Sequence, residues 1–169
     1  MALAACATNG MSDGWAPPAD PAAVAEEARI ARAVLPTQTP RAALLQPWTG
    51  GYDGLPPFDR VTPAALRAAI LEGIELQRAD IAAIAGNPEP ATFANTLVAL
   101  ELAGEPLDRA LNLMGVMTSN IGGAEWDALD SETAPLLSAA SDEITFNPQL
   151  FARIKAVADG AGQAWLNAQ

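Results

Sequence analysis

The sequence predicts an all-α fold, and three observations predict it. Beyond Thr62, apolar residues recur at three- and four-residue spacing through segment after segment. The starts of these segments carry Asp-Pro, Thr-Pro or Asn-Pro pairs, and glycines follow several of their ends. Nowhere does polarity alternate residue by residue as it does in a half-buried strand. Composition agrees: half the residues are apolar, much of that half is Ala, and aromatics make up only 5%. Ala- and Leu-rich sequence of this kind favours close-packed helices. At 169 residues the chain suits one domain with a core of its own.

Taken in order, residues 7–19 have no period and read as a disordered, Pro- and Gly-containing tether. Asp20-Pro21 then caps and starts a short helix, with Glu26 and Glu27 toward its beginning and Arg29 and Arg32 toward its end, matching the helix dipole. Pro36, Pro40, Pro47, Gly50, Gly51 and Gly54 make the next section an irregular connector, whose Trp48 and Tyr52 are expected to dock on the helical body. Thr62-Pro63 opens the body. Leu66, Ile70, Ile74, Ile81 and Ile84 form one stripe of a helix ending at Gly86. Pro88 and Pro90 hold the following loop extended, and Thr92 caps a second helix over 92–103 with Phe93, Leu97, Leu100 and Ala103 as its apolar face. Gly104 stands where a left-handed cap belongs, and the tight Gly104-Glu-Pro106 link makes the next helix antiparallel to its neighbour. That third helix carries Leu107, Leu111, Met114 and Met117 and frays over 120–123. A fourth covers about 124–144 with Trp126, Leu129, Leu136 and Leu137, and Pro135 within it predicts a kink or break. Asn147-Pro148 caps a last helix carrying Leu150, Phe151, Ile154, Val157 and Trp165, weakened beyond Gly160 and Gly162.

The stretch Asn87-Pro-Glu-Pro-Ala-Thr-Phe-Ala-Asn-Thr-Leu-Val-Ala-Leu-Glu101 resembles the N-terminal region of the thimet oligopeptidase and peptidyl-dipeptidase family of zinc metallopeptidases. Upstream, Leu55-Pro-Pro-Phe-Asp59 followed by Val61-Thr-Pro63 is similar to that family's opening block. Downstream, Leu136-Leu-Ser138, Asp142-Glu-Ile144 and the run from Asn147 through Leu150, Phe151, Arg153, Ile154 and Lys155 to Val157 keep the family's order, so the resemblance covers about 55–157. One departure stands out: Ala140 occupies a place between Ser138 and Ser141 where the family pattern suggests His.

The resemblance implies an almost wholly helical protein in which two lobes face a channel for short peptides. It also implies zinc and catalytic residues later in the chain, beyond this region. This chain then reads as an N-terminal helical lobe of about five antiparallel helices, truncated before the catalytic part. Its organisation is 1–19 lipobox remnant and tether, 20–54 short helix and Pro/Gly-rich connector, and 55–169 lobe. Peptidyl-dipeptidases release dipeptides from peptide C-termini, and that branch is favoured over oligopeptidases. The implied partners are the missing catalytic lobe and, in the intact enzyme, short peptides. The rival readings are a free-standing helical binding module, a periplasmic lipid-anchored one among its forms, and a gene fragment with no function of its own. A downstream reading frame encoding H-E-x-x-H would separate a piece of an enzyme from a module.

The chemistry of such a peptidase is absent from these residues. Zinc sites of that class need H-E-x-x-H on a helix, and the chain contains no His and one Cys. Carboxylate-only sites favour Ca or Mg, and Ser-His and Cys-His nucleophile pairs are excluded by the same absence. The reading is therefore no catalytic residue, no metal ligand and no zinc bound to this chain. A formal net charge of −11 opposes phosphate backbones, so nucleic acid is not an expected partner. Leu3-Ala-Ala-Cys6 is similar to a bacterial lipobox, which makes Cys6 the candidate lipidation residue, although only five residues precede it and none is basic. A lipidated Cys6 would place the protein at a periplasmic membrane surface; without it the expectation is cytoplasmic.

Other polar residues have simpler expectations. Glu26-Glu27 and Asp142-Glu143 read as solvated faces, because adjacent helical residues do not face one another. Met114 and Met117 read as core filler. Asn95 and Thr96 interrupt an apolar helix and are expected to hydrogen-bond to a neighbouring helix. Asp108, Arg109, Arg153 and Lys155 are expected to form surface ion pairs of small value. Phe151, Ile154, Val157 and Trp165 are expected to form an exposed patch, since no later sequence here covers them.

Overall fold

A computed structural model describes residues 20–49 and 51–167, with the side chains of 52, 53 and 161–167 outside that description. The tether, Cys6 and the packing of Tyr52 and Trp165 therefore lie outside the described residues. Helix α1 is Pro21–Val34. After a 3₁₀ turn at Ala43–Leu45 and the single-turn α2 at Gly51–Gly54 comes the long α3, Pro63–Ala85. A π-helical turn, Phe93–Val98, runs into the short α4, Ala99–Leu102. Helices α5 (Glu105–Asn120), α6 (Ala124–Thr145) and α7 (Pro148–Asn167) complete an all-α architecture. The caps form where the side chains allow them. Asp20 accepts from the Ala22 N–H, Thr62 from Ala65 at 3.1 Å, and Asn147 from Gln149 and Leu150 at 3.0 Å each.

Helix α3 runs through both cores. Its first half packs Leu66, Ile70 and Ile74 against Leu107 and Leu113 of α5, Trp126 and Leu129 of α6, and Leu44 and Leu45 of the connector. Its second half packs Ile81 and Ile84 against Ala31 of α1, Ala99 of α4 and Leu150 of α7. The whole predicted stripe, from Leu66 to Ile84, is buried. Gly73 lets α5 approach closely, since a Cβ there would lie 3.0 Å from the Leu107 Cα. Gly104 adopts the left-handed conformation, φ 82°, between α4 and α5. Trp48 is half-buried against the first core, as expected for a docked aromatic.

Several expectations are corrected. The helix at 92–103 opens with a π turn and buries Ala94, Asn95, Thr96 and Ala99; of its expected face Ala103 is buried and Leu100 packs against the second core, while Phe93 is 55% exposed and Leu97 half-buried. Asn95 and Thr96 find polar partners inside the fold, so the polar pair takes the inner side. Pro135 breaks nothing. It lies on the exposed side of a continuous α6, where water can reach the Ser131 carbonyl left without its N–H donor. The buried stripe of α6 runs through Trp126, Leu129, Thr133 and Ala140, with Leu137 packed beside it, so Leu136 stays exposed. Among the described side chains of the expected patch, Phe151 alone is fully at the surface: Ile154 packs against the second core and Val157 is half-buried.

Candidate functional site

The densest polar arrangement joins α7 to the loop before the π turn. Leu150, Arg153 and Ile154 share the inner side of α7, so Arg153 points among apolar neighbours and is only 9% exposed. No carboxylate pairs with it among the described residues. One terminal nitrogen donates to the Asn87 and Glu89 carbonyls at 2.8 and 3.0 Å. The other donates to Asn95 Oδ1 at 2.9 Å and Thr96 Oγ1 at 3.3 Å, while Nε is buried without an acceptor. A buried guanidinium is costly unless acceptors surround it, and these four supply that shell. Arg153 is thus a buried tie, which corrects its expected surface ion pairing. Asn95 and Thr96 do bond to a neighbouring helix, as expected.

Asn95 completes the arrangement. Its Oδ1 also accepts from the Thr92 N–H at 2.8 Å and Thr96 Oγ1 at 2.9 Å, its Nδ2 donates to the Pro90 carbonyl at 2.9 Å, and Thr92 Oγ1 caps the Asn95 N–H at 3.1 Å. This is a capping box with Asn at its third position. The Asn87-Pro-Glu-Pro90 loop is thereby pinned from both sides. Beside it a cleft of about 490 Å³ opens between α1 and the end of α3, with Arg29, Ile30, Val34, Ala83, Asn87 and Asn95 on its walls. Arg29 is engaged by Glu26 at 2.6 Å.

A second polar tie crosses the boundary between the cores. Asp80, 5% exposed, accepts from Gln38 Nε2 at 2.8 Å and from the Gly104 N–H at 3.0 Å. Burial pushes its carboxyl above the usual range, against the lowering effect of both hydrogen bonds, and nearby Glu105 pushes it further. Two turns earlier, Glu72 accepts from the Arg41 and Ala42 backbone N–H groups at 2.6 and 2.9 Å. Burial raises the Glu72 carboxyl, but those bonds outweigh it and hold it below its ordinary value. The two acids of α3 therefore fasten the irregular connector to the helical body.

These groups can hold loops in place, but they lack the parts of a hydrolytic centre. The described residues contain no group of three or more His, Cys, Asp or Glu able to hold a metal ion. With no His in the chain, its residues do not fit a catalytic zinc site. The acid pairs behave as solvated surface: Glu26 pairs with Arg29, and Glu143 with Arg78 at 2.7 Å. Arg109 reaches the Leu45 carbonyl and Glu105, and Lys155 reaches Asp159 one turn on. Met114 is buried and Met117 packs at the core edge. No helix among the described residues is long and apolar enough to cross a membrane. Reading the sequence missed Asp80 and the burial of Arg153, although each carried a signal: a charged residue on an otherwise apolar helical stripe.

Comparison with known proteins supports a peptidase relationship over part of the chain. The dipeptidyl carboxypeptidase of Escherichia coli strain K12 is 39% identical over 102 residues, covering 60% of this chain and 15% of that protein. The dipeptidyl carboxypeptidase of Salmonella typhimurium strain LT2 is 38% identical over the same extent. The chain thus spans 15% of the length of these curated relatives. No family model and no solved structure matches the chain.

Proposed function

We propose that this chain is a non-catalytic helical unit of a zinc-dependent peptidyl-dipeptidase acting on short peptides. In this reading it positions its pinned Asn87–Pro90 loop and helices around a substrate channel, while the metal and the reacting groups belong to residues outside it. The observation that carries the reading is the 39% identity over 102 residues to a dipeptidyl carboxypeptidase, held by a chain without a single His. Zinc, supplied elsewhere, would polarise the scissile carbonyl and activate water; nothing here handles either. The peptidyl-dipeptidase branch is preferred to the oligopeptidases because both relatives carry that activity in their names.

The test is a chimera in which the matched 102 residues of the E. coli relative are replaced by those of this chain. Release of dipeptides from peptide C-termini is the expected result. A chimera that folds but cleaves nothing would defeat the reading.

A further inference from the structure

The corner between α6 and α7 presents its apolar side chains outward. Asn147 caps α7, so Phe146 immediately precedes the cap and Phe151 is the fourth residue after it. Those positions share one side of a helix start, where apolar pairs commonly meet. Here they are 78% and 64% exposed, while the neighbouring Leu150 is buried. Beside them lies a cleft of about 250 Å³ lined by Ile81, Ala82 and Ile144, with Asn147 and the Arg78–Glu143 ion pair also on its wall. Aromatic anchors next to an apolar groove are the usual centre of a protein interface.

Charge and length indicate what covers this corner. At this corner helix α6 carries Asp142 and Glu143 and no basic residue. Arg78 of α3 neutralises Glu143, and Asp142 has no ion-pair partner among the described residues. A fitting cover has an apolar centre and a basic edge. The matched stretch is 15% of each relative, so most of each relative's chain lies elsewhere and can supply that surface. We infer that the α6–α7 corner is where this unit docks on the catalytic part of the peptidase, through Phe146 and Phe151. The inference rests on the peptidase reading above.

The double substitution Phe146→Ser with Phe151→Ser tests it in two settings. In the isolated chain both rings face water, so the melting temperature should hold while binding of a hydrophobic dye falls. In the active chimera the same pair should shorten the half-life of activity at a fixed challenge temperature by about tenfold or more, the factor equivalent to losing burial of one large side chain. An active chimera whose half-life is unchanged by the pair would overturn the docking and leave the peptidase reading standing. A parent chimera that folds but is inactive would overturn both. If the isolated chain dimerises and the substitutions abolish the dimer without touching the chimera, the corner belongs to a second copy and the inference fails.

Discussion

Replacing Asp80 by Asn separates its charge from its hydrogen bonds. Both donors on the carboxylate, Gln38 Nε2 and the Gly104 N–H, point at oxygens. An Asn amide nitrogen accepts nothing, so one of these donors would be left facing another donor. A stranded buried donor costs about 1–3 kcal/mol, or about 3–10 °C in melting temperature for a domain of this size. A protonated Asp differs, because its hydroxyl oxygen keeps a lone pair and can still accept. The pH dependence follows from the direction of the shift. Since the folded carboxyl titrates above its unfolded value of 3.8, the native state binds the extra proton between those two values. The wild type therefore gains stability from this group as pH falls through the raised folded value, and loses it again as pH rises. Glu26, Glu72, Glu132 and Glu143 have the opposite sense, each held below its unfolded 4.5. Their contributions are present above that value and lost as pH falls through the folded ones. They are common to both proteins, so subtracting the variant's stability curve from the wild type's isolates Asp80. Urea melts from pH 7 down to pH 4 should show a gap between the two proteins that widens toward acid. Parallel curves, or a variant as stable as wild type at pH 7, would refute the reasoning.

Arg153→Met should cost about 2–4 kcal/mol, because hydrogen bonds to a charged group are each worth about 1.5–3 kcal/mol before the relief of desolvation is subtracted. It should also speed amide exchange in the Asn87–Pro90 loop, and unchanged protection there would contradict the pinning. The purified chain should neither cleave an internally quenched peptide nor hold stoichiometric zinc. Metal-dependent turnover that survives rigorous repurification would end that expectation. If Leu3-Ala-Ala-Cys6 is a lipobox, expression of the gene with its upstream sequence should give fatty-acid label that disappears in Cys6→Ser, whereas label indifferent to the substitution excludes the lipobox.

The helices were legible because their signals are local. Thr62-Pro63, Asn147-Pro148 and Gly104 act within one turn of themselves, and the Leu66-to-Ile84 stripe needs only helical geometry to select a face. The π turn was not legible, since Phe93, Leu97, Leu100 and Ala103 offer an equally regular α-helical face. What turns Asn95 and Thr96 inward at its start is a guanidinium more than fifty residues later. Asp80 shows the same limit. Its stripe position was visible, but its acceptors' partners come from the connector and from the turn at Gly104, which no spacing rule brings together. Pro135 shows a different one: whether a proline interrupts a helix depends on whether water can serve the freed carbonyl, a property of the assembled surface.

The two cores change what the exposed corner means. Had Ile154 and Val157 been uncovered with Phe151, the last helix would lack a partner and the chain would be expected to aggregate or melt without cooperativity. Instead Leu150 and Ile154 close the second core against Ile81, Ile84 and Ala31, and Arg153 ties the same helix to the Asn87–Pro90 loop. The described residues of α7 are held by the chain's own residues, so exposure at Phe146 and Phe151 does not reflect a missing half of the core. Rings left outside a closed core contribute little to the folded unit and retain their full burial energy for a partner. The isolated chain should therefore melt cooperatively and still bind dye at this corner. A broad, noncooperative melt would show that the cores are not closed, and the corner would then be one part of a wider uncovered face.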